Sequence, residues 1–314
     1  MKPRILVIRG GAIGDFILTL PAIRLLRENF PAAQVEILGY EHIIALAHRR
    51  YYAEAIRSIE YGPMAGFFVP NSVLAPDLAE YFAGFQQVIS YLFDPDGFFA
   101  GNLERAGVKN LISAYVKIDD SQHAARQLAQ PLERLALFLD ESAAMIHPSP
   151  EDFSYAREFL GASEQPIIAI HPGSGSPRKN WPLDHWRQLG SWLTKLDPPP
   201  RLLVIGGEAD NAQLTELPAA WPEAEVLVAR GLPLPALGAI LTRCELFIGH
   251  DSGISHLAAA VGTNCLLLFG PTDPTVWAPA NPGVAVLQSA SGLLTDLSVE
   301  EVKGAILTRW TQSA

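Results

Sequence analysis

Within six residues, Asp251-Ser-Gly-Ile-Ser-His256 gathers a carboxylate, two hydroxyls, a flexible turn and an imidazole. An apolar run at 245–248 precedes it and reads as a buried strand; the stretch from Gly253 to Val261 reads as a helix. A strand that feeds a helix through a small turn leaves the first N–H groups of that helix without partners. Those groups and the helix dipole favour a phosphate or diphosphate. Asp251 and His256 add side chains able to fix a sugar or its diphosphate. The same pattern also fits an ordinary junction capped by Asp251 or Ser252.

Other strand ends carry comparable chemistry. Segment 170–182, Ile-His-Pro-Gly-Ser-Gly-Ser-Pro-Arg-Lys-Asn-Trp-Pro, sets Arg178 and Lys179 in a Gly/Ser-rich loop. Fixed cations over a backbone concavity suit an anionic leaving group, in place of a metal. So many special residues between regular elements favour a functional loop over a solvated one. Arg9-Gly-Gly-Ala-Ile-Gly-Asp15 follows the first strand and puts an acid at a helix start. Asp15 is there either as a cap or as a general base for a hydroxyl. A dinucleotide fingerprint would need glycine at position 9, where Arg9 stands. Glu208, after the run 202–205, suits a ribose diol or the dipole of the next helix. His48-Arg-Arg-Tyr-Tyr52 with Arg57 reads as a solvated helix face, or as a contact for an anionic acceptor or lipid headgroups. His250 beside Asp251 has no companions at metal-ligand spacing, and no metal is assigned.

The elements that position these turns alternate along the whole chain, the mark of parallel sheets with crossover helices. Strands are predicted at 5–8, 35–38, 88–92 and 111–115, with helices at 15–29, 76–85 and 123–139. Pro21 implies a kink, or a helix that begins near Thr19. The second half predicts strands at 167–171, 202–205, 226–228, 245–248, 266–269 and 284–287. Its helices are expected at 183–196, 211–217, 234–243, 253–261 and 299–310, the last opened by a Ser298/Glu301 capping box. The Pro-containing stretch 145–152 reads as a linker. The result is an α/β chain with two doubly wound domains facing across a cleft, ligands lying at the carboxyl ends of the strands.

Composition agrees. The 314 residues suffice for two domains, 49% are hydrophobic and 18% charged. A net charge of −10 argues against nucleic-acid binding. The two cysteines form no metal or disulfide pattern, and no run reaches the ~18 apolar residues of a membrane helix. A cytoplasmic protein is expected.

Taken together, the turn ending Gly14-Asp15 with Leu20-Pro-Ala22, the stretch from His171 through Lys179 to Trp181-Pro182, and Asp251-Ser-Gly-Ile-Ser-His-Leu257 resemble glycosyltransferase family 9, the ADP-heptose:lipopolysaccharide heptosyltransferases. The resemblance implies the GT-B fold, with residues 1–148 a Rossmann-like acceptor-binding domain and 149–314 a Rossmann-like nucleotide-sugar domain. In that reading the last helix is a candidate to pack back on the N-terminal domain. It implies an inverting, metal-independent transfer of heptose from ADP-heptose to a hydroxyl of lipopolysaccharide core or a related glycan. No cofactor is needed, and contact with the inner face of the cytoplasmic membrane is expected. Asp15 is then the catalytic base, on an acceptor-side loop with Arg9, Gly10, Gly11 and Gly14. Lys179 contacts donor sugar and diphosphate, with Ser174 and Arg178 on the same loop. Glu208 holds the ribose and Leu232 the adenine; Ser252, Gly253 and Ile254 offer N–H groups to the phosphates, with Asp251 and His256 near the sugar. The sequence departs from the family at His250, where a small polar residue is usual, and around Ser174–Arg178. Another nucleotide sugar as donor, a nucleotide-sugar-binding protein without turnover, and a nicotinamide oxidoreductase are the alternatives.

Overall fold

The computed structural model describes residues 2–310, without the side chains of Arg309 and Trp310. Two compact units meet between Ser142 and Ala143. The first contains β1 (Arg4–Arg9), α1 (Ile13–Asn29), β2 (Gln34–Gly39), α2 (Glu41–Ile44) and β3 (Ala55–Ser58). It continues with α3 (Pro76–Ala83), β4 (Gln87–Ser90), α4 (Phe98–Arg105), β5 (Leu111–Ser113) and α5 (Ala124–Ala129). Its five strands are parallel in the order β3-β2-β1-β4-β5. Leu6, Val7 and Ile8 of central β1 are fully buried, as expected of a parallel strand covered on both faces. Leu6 and Ile8 join Phe67, Phe82, Phe99 and Leu103 in one cluster. Strand order reverses between β1 and β4, and a crevice opens at their carboxyl ends.

The second unit runs α6 (Pro150–Leu160), β6 (Ile167–His171), α7 (Leu183–Leu193), β7 (Arg201–Gly206), α8 (Asn211–Ala220) and β8 (Val226–Arg230). Then come α9 (Leu234–Leu241), β9 (Leu246–His250), α10 (Gly253–Ala260), β10 (Cys265–Phe269), α11 (Pro274–Trp277), β11 (Val284–Gln288) and α12 (Val299–Trp310). Six parallel strands lie in the order β11-β10-β9-β6-β7-β8, with the reversal between β6 and β9. Trp181, Trp186, Leu189 and Leu193 pack on Ile168, Ile170 and Ile248, and Val302 and Ile306 of α12 join the same core. The predicted box at the start of α12 is present, with Glu301 N–H on Ser298 Oγ at 3.3 Å and Ser298 N–H on Glu301 Oε2 at 2.8 Å.

Several expectations change. Helix α1 neither starts at Thr19 nor stops at Pro21; it runs unbroken from Ile13. Proline inside a helix costs ~3 kcal/mol, and burial of Phe16, Ile17, Leu20, Ile23 and Leu26 offsets it. The helix expected over 123–139 ends at Ala129, because Pro131 cannot donate and the chain tightens into a 3-10 turn over Gln130–Leu135. No helix face carries the basic cluster at 48–52: His48 bridges Ala53, and Arg50 donates to the carbonyls of Ala45 and His48.

The 145–152 stretch is not a free linker. Ile146 N–H donates to Ala260 O at 2.8 Å and Asn281 Nδ2 to Ala144 O at 2.9 Å, so the chain already belongs to the second unit. The two units therefore meet six residues before the expected boundary at 148/149, and the far end of the expected span, 311–314, lies outside the described residues. Pro150 begins α6 rather than breaking the chain, since the first helical position needs no N–H partner. Ser149 caps that helix: its Oγ accepts from Asp152 N–H at 3.2 Å, and Asp152 Oδ2 accepts from Ser149 N–H at 2.7 Å. Replacing Ser149 with Ala should lower stability by about 1 kcal/mol, read as an earlier urea midpoint by circular dichroism. An unchanged midpoint would show that the cap contributes nothing.

Candidate active site

The second sheet's reversal point is where its charged residues converge. Lys179 Nζ lies 2.5 Å from Asp251 Oδ2, joining the loop after β6 to the loop after β9. The same Asp251 oxygen accepts from Thr272 Oγ1 at 2.9 Å, which brings in the loop after β10. Ser252 is the N-cap of α10, with its Oγ accepting from Ser255 N–H at 3.3 Å. The helix's own ladder begins with His256 N–H on Ser252 O. The N–H groups of Gly253 and Ile254 precede that ladder, at the positive end of the helix dipole. His256 is buried in the first turn.

The loop carrying Lys179 has little regular structure, only a 3-10 turn over Pro177–Lys179. His250 holds it at both ends. Its Nε2 accepts from Trp181 N–H at 2.8 Å, and its Nδ1 faces Gly173 O at 3.3 Å. That pattern assigns the proton to Nδ1, which donates to the carbonyl. Burial lowers the His250 pKa to about 3, so the ring is neutral. Trp181 is pinned a second time by Nε1–H on Leu297 O at 2.8 Å. His250 is therefore a clamp on this loop. His171, also buried, bonds Ile205 O at 3.0 Å, and burial lowers its pKa too.

The remaining residues on this edge follow adjacent strands. Ser174 folds back on its own loop, its Oγ donating to Ser176 O at 2.7 Å, and Arg178 is exposed. Glu208 is exposed in the turn after β7, and Leu232 is half-buried after β8. Sheet order places these turns on β9, β6, β7 and β8 in succession. At strand spacing they span about 14 Å of sheet edge. Sequence reasoning did not single out Thr272 or Asp210. Asp210 Oδ2 accepts from Gly207 N–H at 2.9 Å, and its Oδ1 would stand 2.0 Å from a Cβ at Gly173. Only glycine lets the two loops approach this closely. The signals were present, a Gly-Pro-Thr turn after a strand and an acid three residues after Gly207, but their targets are distant in sequence.

In the first unit, Asp15 is the third residue of α1, and Ala12 is the N-cap. Its Oδ2 accepts from Ala12 N–H at 2.9 Å, and its Oδ1 lies 3.6 Å from the Arg9 guanidinium. The Asp15 side chain keeps 43% of its surface exposed. One carboxylate oxygen thus caps the helix, and the other faces Arg9. Arg9 binds the Asp15 carbonyl at 3.2 Å and Thr19 Oγ1 at 3.0 Å, and reaches over the Tyr91 ring. Burial lowers the Arg9 pKa, and Asp15, Tyr91 and Tyr115 oppose that shift. Gly11 has φ +93°, and a Cβ there would sit 2.7 Å from Asp15 Oδ2. Gly10 and Gly14 complete the turn and the first helical residues. Among the described residues no group of three or more His, Cys, Asp or Glu side chains could hold a metal ion, and no helix is long and apolar enough to cross a membrane.

The buried histidines set a pH dependence. An unfolded His250 takes up its proton near pH 6.5, but the folded one not until about 3. Stability is thus full above pH 6.5 and is lost as pH falls towards 3, by up to ~1.4 kcal/mol per pH unit. His171 acts in the same direction. His250→Asn should flatten this acid limb in urea titrations at stepped pH; an equally steep limb would contradict a buried neutral ring.

The site can be set beside known proteins. The profile of glycosyltransferase family 9 (heptosyltransferase) matches residues 110–305. Lipopolysaccharide heptosyltransferase 2 of Salmonella typhimurium is 24% identical over 325 positions, covering 92% of this chain and 89% of the relative. The crystal structure of a glycosyl transferase family 9 protein from Veillonella parvula matches with TM-score 0.83 at 20% identity, over 99% of this chain and 98% of the other. E. coli ADP-heptose lps heptosyltransferase II matches with TM-score 0.77 at 19% identity, over 99% of both chains. The fold is GT-B. With the family profile covering well over half its length, the chain belongs to glycosyltransferase family 9, the heptosyltransferases.

Proposed function

We propose that this glycosyltransferase moves heptose from ADP-heptose to a hydroxyl of lipopolysaccharide core, with inversion and without a metal. The observation that carries the reading is the Lys179–Asp251 pair beside the open N–H groups of α10, at the second sheet's reversal point. A nucleoside diphosphate sugar along this edge would meet Ser252, Gly253 and Ile254 at its phosphates. Glu208 would take the ribose and the Leu232 backbone the adenine. Lys179, drawn by Asp251 to the mouth of α10, would neutralise the departing diphosphate, with Ser174 and Arg178 on the same loop. Asp251 and His256 would border the sugar. The heptosyltransferase relatives support ADP-heptose as donor and lipopolysaccharide as acceptor. In this reading residues 149–314 bind the donor and 1–148 the acceptor.

Asp15 would remove the acceptor's proton through the oxygen not bonded to Ala12 N–H. The freed hydroxyl oxygen forms its bond to the anomeric carbon as the bond to the ADP oxygen breaks on the opposite face. The proton stays on Asp15 and the electron pair leaves with ADP. Arg9, Gly10, Gly11 and Gly14 shape the turn that presents the carboxylate. The chain is proposed to work in the cytoplasm, at the inner face of the membrane where such an acceptor is presented.

Asp15→Asn should lower kcat about 10²–10⁴-fold while ADP affinity by calorimetry is unchanged. Near-normal turnover would remove Asp15 from this role. Lys179→Ala should weaken both ADP binding and turnover; intact ADP affinity would break its proposed contact. Transfer from ADP-heptose to heptose-free lipopolysaccharide should persist in excess EDTA and give the inverted anomer. Loss of activity on chelation, or a retained configuration, would overturn that part of the mechanism.

A further inference from the structure

The carboxyl edge of the first sheet carries aromatic surface that packing does not explain. Phe93, just past β4, is 68% exposed, and Tyr115, just past β5, is 45% exposed. Their ring centroids are 4.9 Å apart with the planes tilted by 53°. The neighbouring Phe99 and Tyr91 are buried, so the exposed pair is not an extension of the core. Beneath the pair lies a cavity of about 130 Å³, walled also by Leu92, Phe99, Leu111 and Ser113. A cavity of about 150 Å³ accommodates a single six-membered ring. The space is on the scale of one ring.

The loop that presents Phe93 is held rigidly. Asp94 spends both carboxylate oxygens on the start of α4, accepting from Phe99 N–H at 3.2 Å and Ala100 N–H at 2.8 Å. Asp94 is therefore structural, and the ring it fixes is preorganised for a ligand. The cavity also adjoins the acidic turn. Leu92 packs against the Gly10 backbone, and the Tyr115 phenol is within electrostatic reach of Arg9. With β4 next to β1, and β5 next to β4, the aromatic pair is one to two strand spacings, about 5–10 Å, from the turn that carries Asp15.

We propose that the Phe93–Tyr115 cavity is an acceptor subsite, which receives the apolar face of a pyranose ring of the acceptor glycan while Asp15 meets its hydroxyl. A sugar ring offers an apolar C–H face to the aromatic rings, and hydroxyls at its edge to the rim. Tyr115 and Ser113, both in the lining, supply hydroxyls to bond them. The inference rests on the transferase reading above, since it is Asp15 that makes this edge the acceptor's side.

The test uses the full chain and a deacylated, heptose-free lipopolysaccharide core oligosaccharide as probe. Saturation-transfer NMR should show ring C–H protons of the oligosaccharide saturated by wild type. The signal should be lost in Phe93→Ala and Tyr115→Ala and restored in Phe93→Trp. Acceptor KM should rise about tenfold in the two alanine variants, the scale of one lost aromatic contact, with ADP affinity unchanged. Unaltered saturation in both variants, no saturation in wild type, or loss of ADP binding instead would overturn the proposal. Oligosaccharide bound in this manner without heptose transfer would refute the transferase reading and keep the subsite. Transfer with an unchanged acceptor KM in the variants would do the reverse.

Discussion

The loop that carries Lys179 depends on a neutral imidazole, His250. Between β6 and α7 the chain runs through residues 172–182 with almost no ladder of its own, and His250 closes it at Gly173 and Trp181. Both ring nitrogens are engaged, so the ring can neither tip nor take up a second proton without losing a bond. Leaving a buried donor or acceptor unpaired costs about 1–3 kcal/mol, enough to loosen a loop with so little regular structure. Trp181, Trp186 and His250 meet edge to face, which ties the clamp into the main core of this unit. The position of Lys179 therefore follows from packing several residues away.

The two units share one architecture and differ at the helix start. Each has a doubly wound parallel sheet and a helix that begins at the reversal of strand order. In the first, the open end of α1 is closed by its own carboxylate, Asp15, whose second oxygen faces Arg9 and solvent. In the second, the N-cap of α10 is a neutral serine, and the backbone N–H groups stay open to an anion. The fold supplies the place, and the residue at the helix start sets its charge: a carboxylate at α1, a neutral serine at α10.

Much of this was legible in the sequence, for identifiable reasons. Buried parallel strands write themselves as continuous apolar runs, so the six strands of the second unit and the central strand of the first were plain. The glycine-containing turns after them marked the strand ends where Lys179, Asp251 and Thr272 gather. Strand β3 was not legible, because Ala-Ile-Arg-Ser is a short, half-exposed strand without an apolar run. Helix α4 was hidden behind Asp94-Pro-Asp-Gly97, which reads as a turn until Asp94 is seen capping the helix. The prolines at 148 and 150 suggested a linker because a proline at a helix start and one in a loop look alike. Within the site, the residue types and their strands could be read. The Lys179–Asp251 bond and the His250 clamp could not, because each joins residues some seventy positions apart.

All six tryptophans, at 181, 186, 192, 221, 277 and 310, fall in the second unit, and the first has tyrosine and phenylalanine alone. Light absorbed near the red edge of the protein band therefore excites one half of the molecule only. Trp181 sits two residues from Lys179 with its indole N–H bonded to a carbonyl, so its emission is sensitive to rearrangement of the loop between β6 and α7. The distribution of a single residue type thus gives the protein a built-in optical label on one of its two halves.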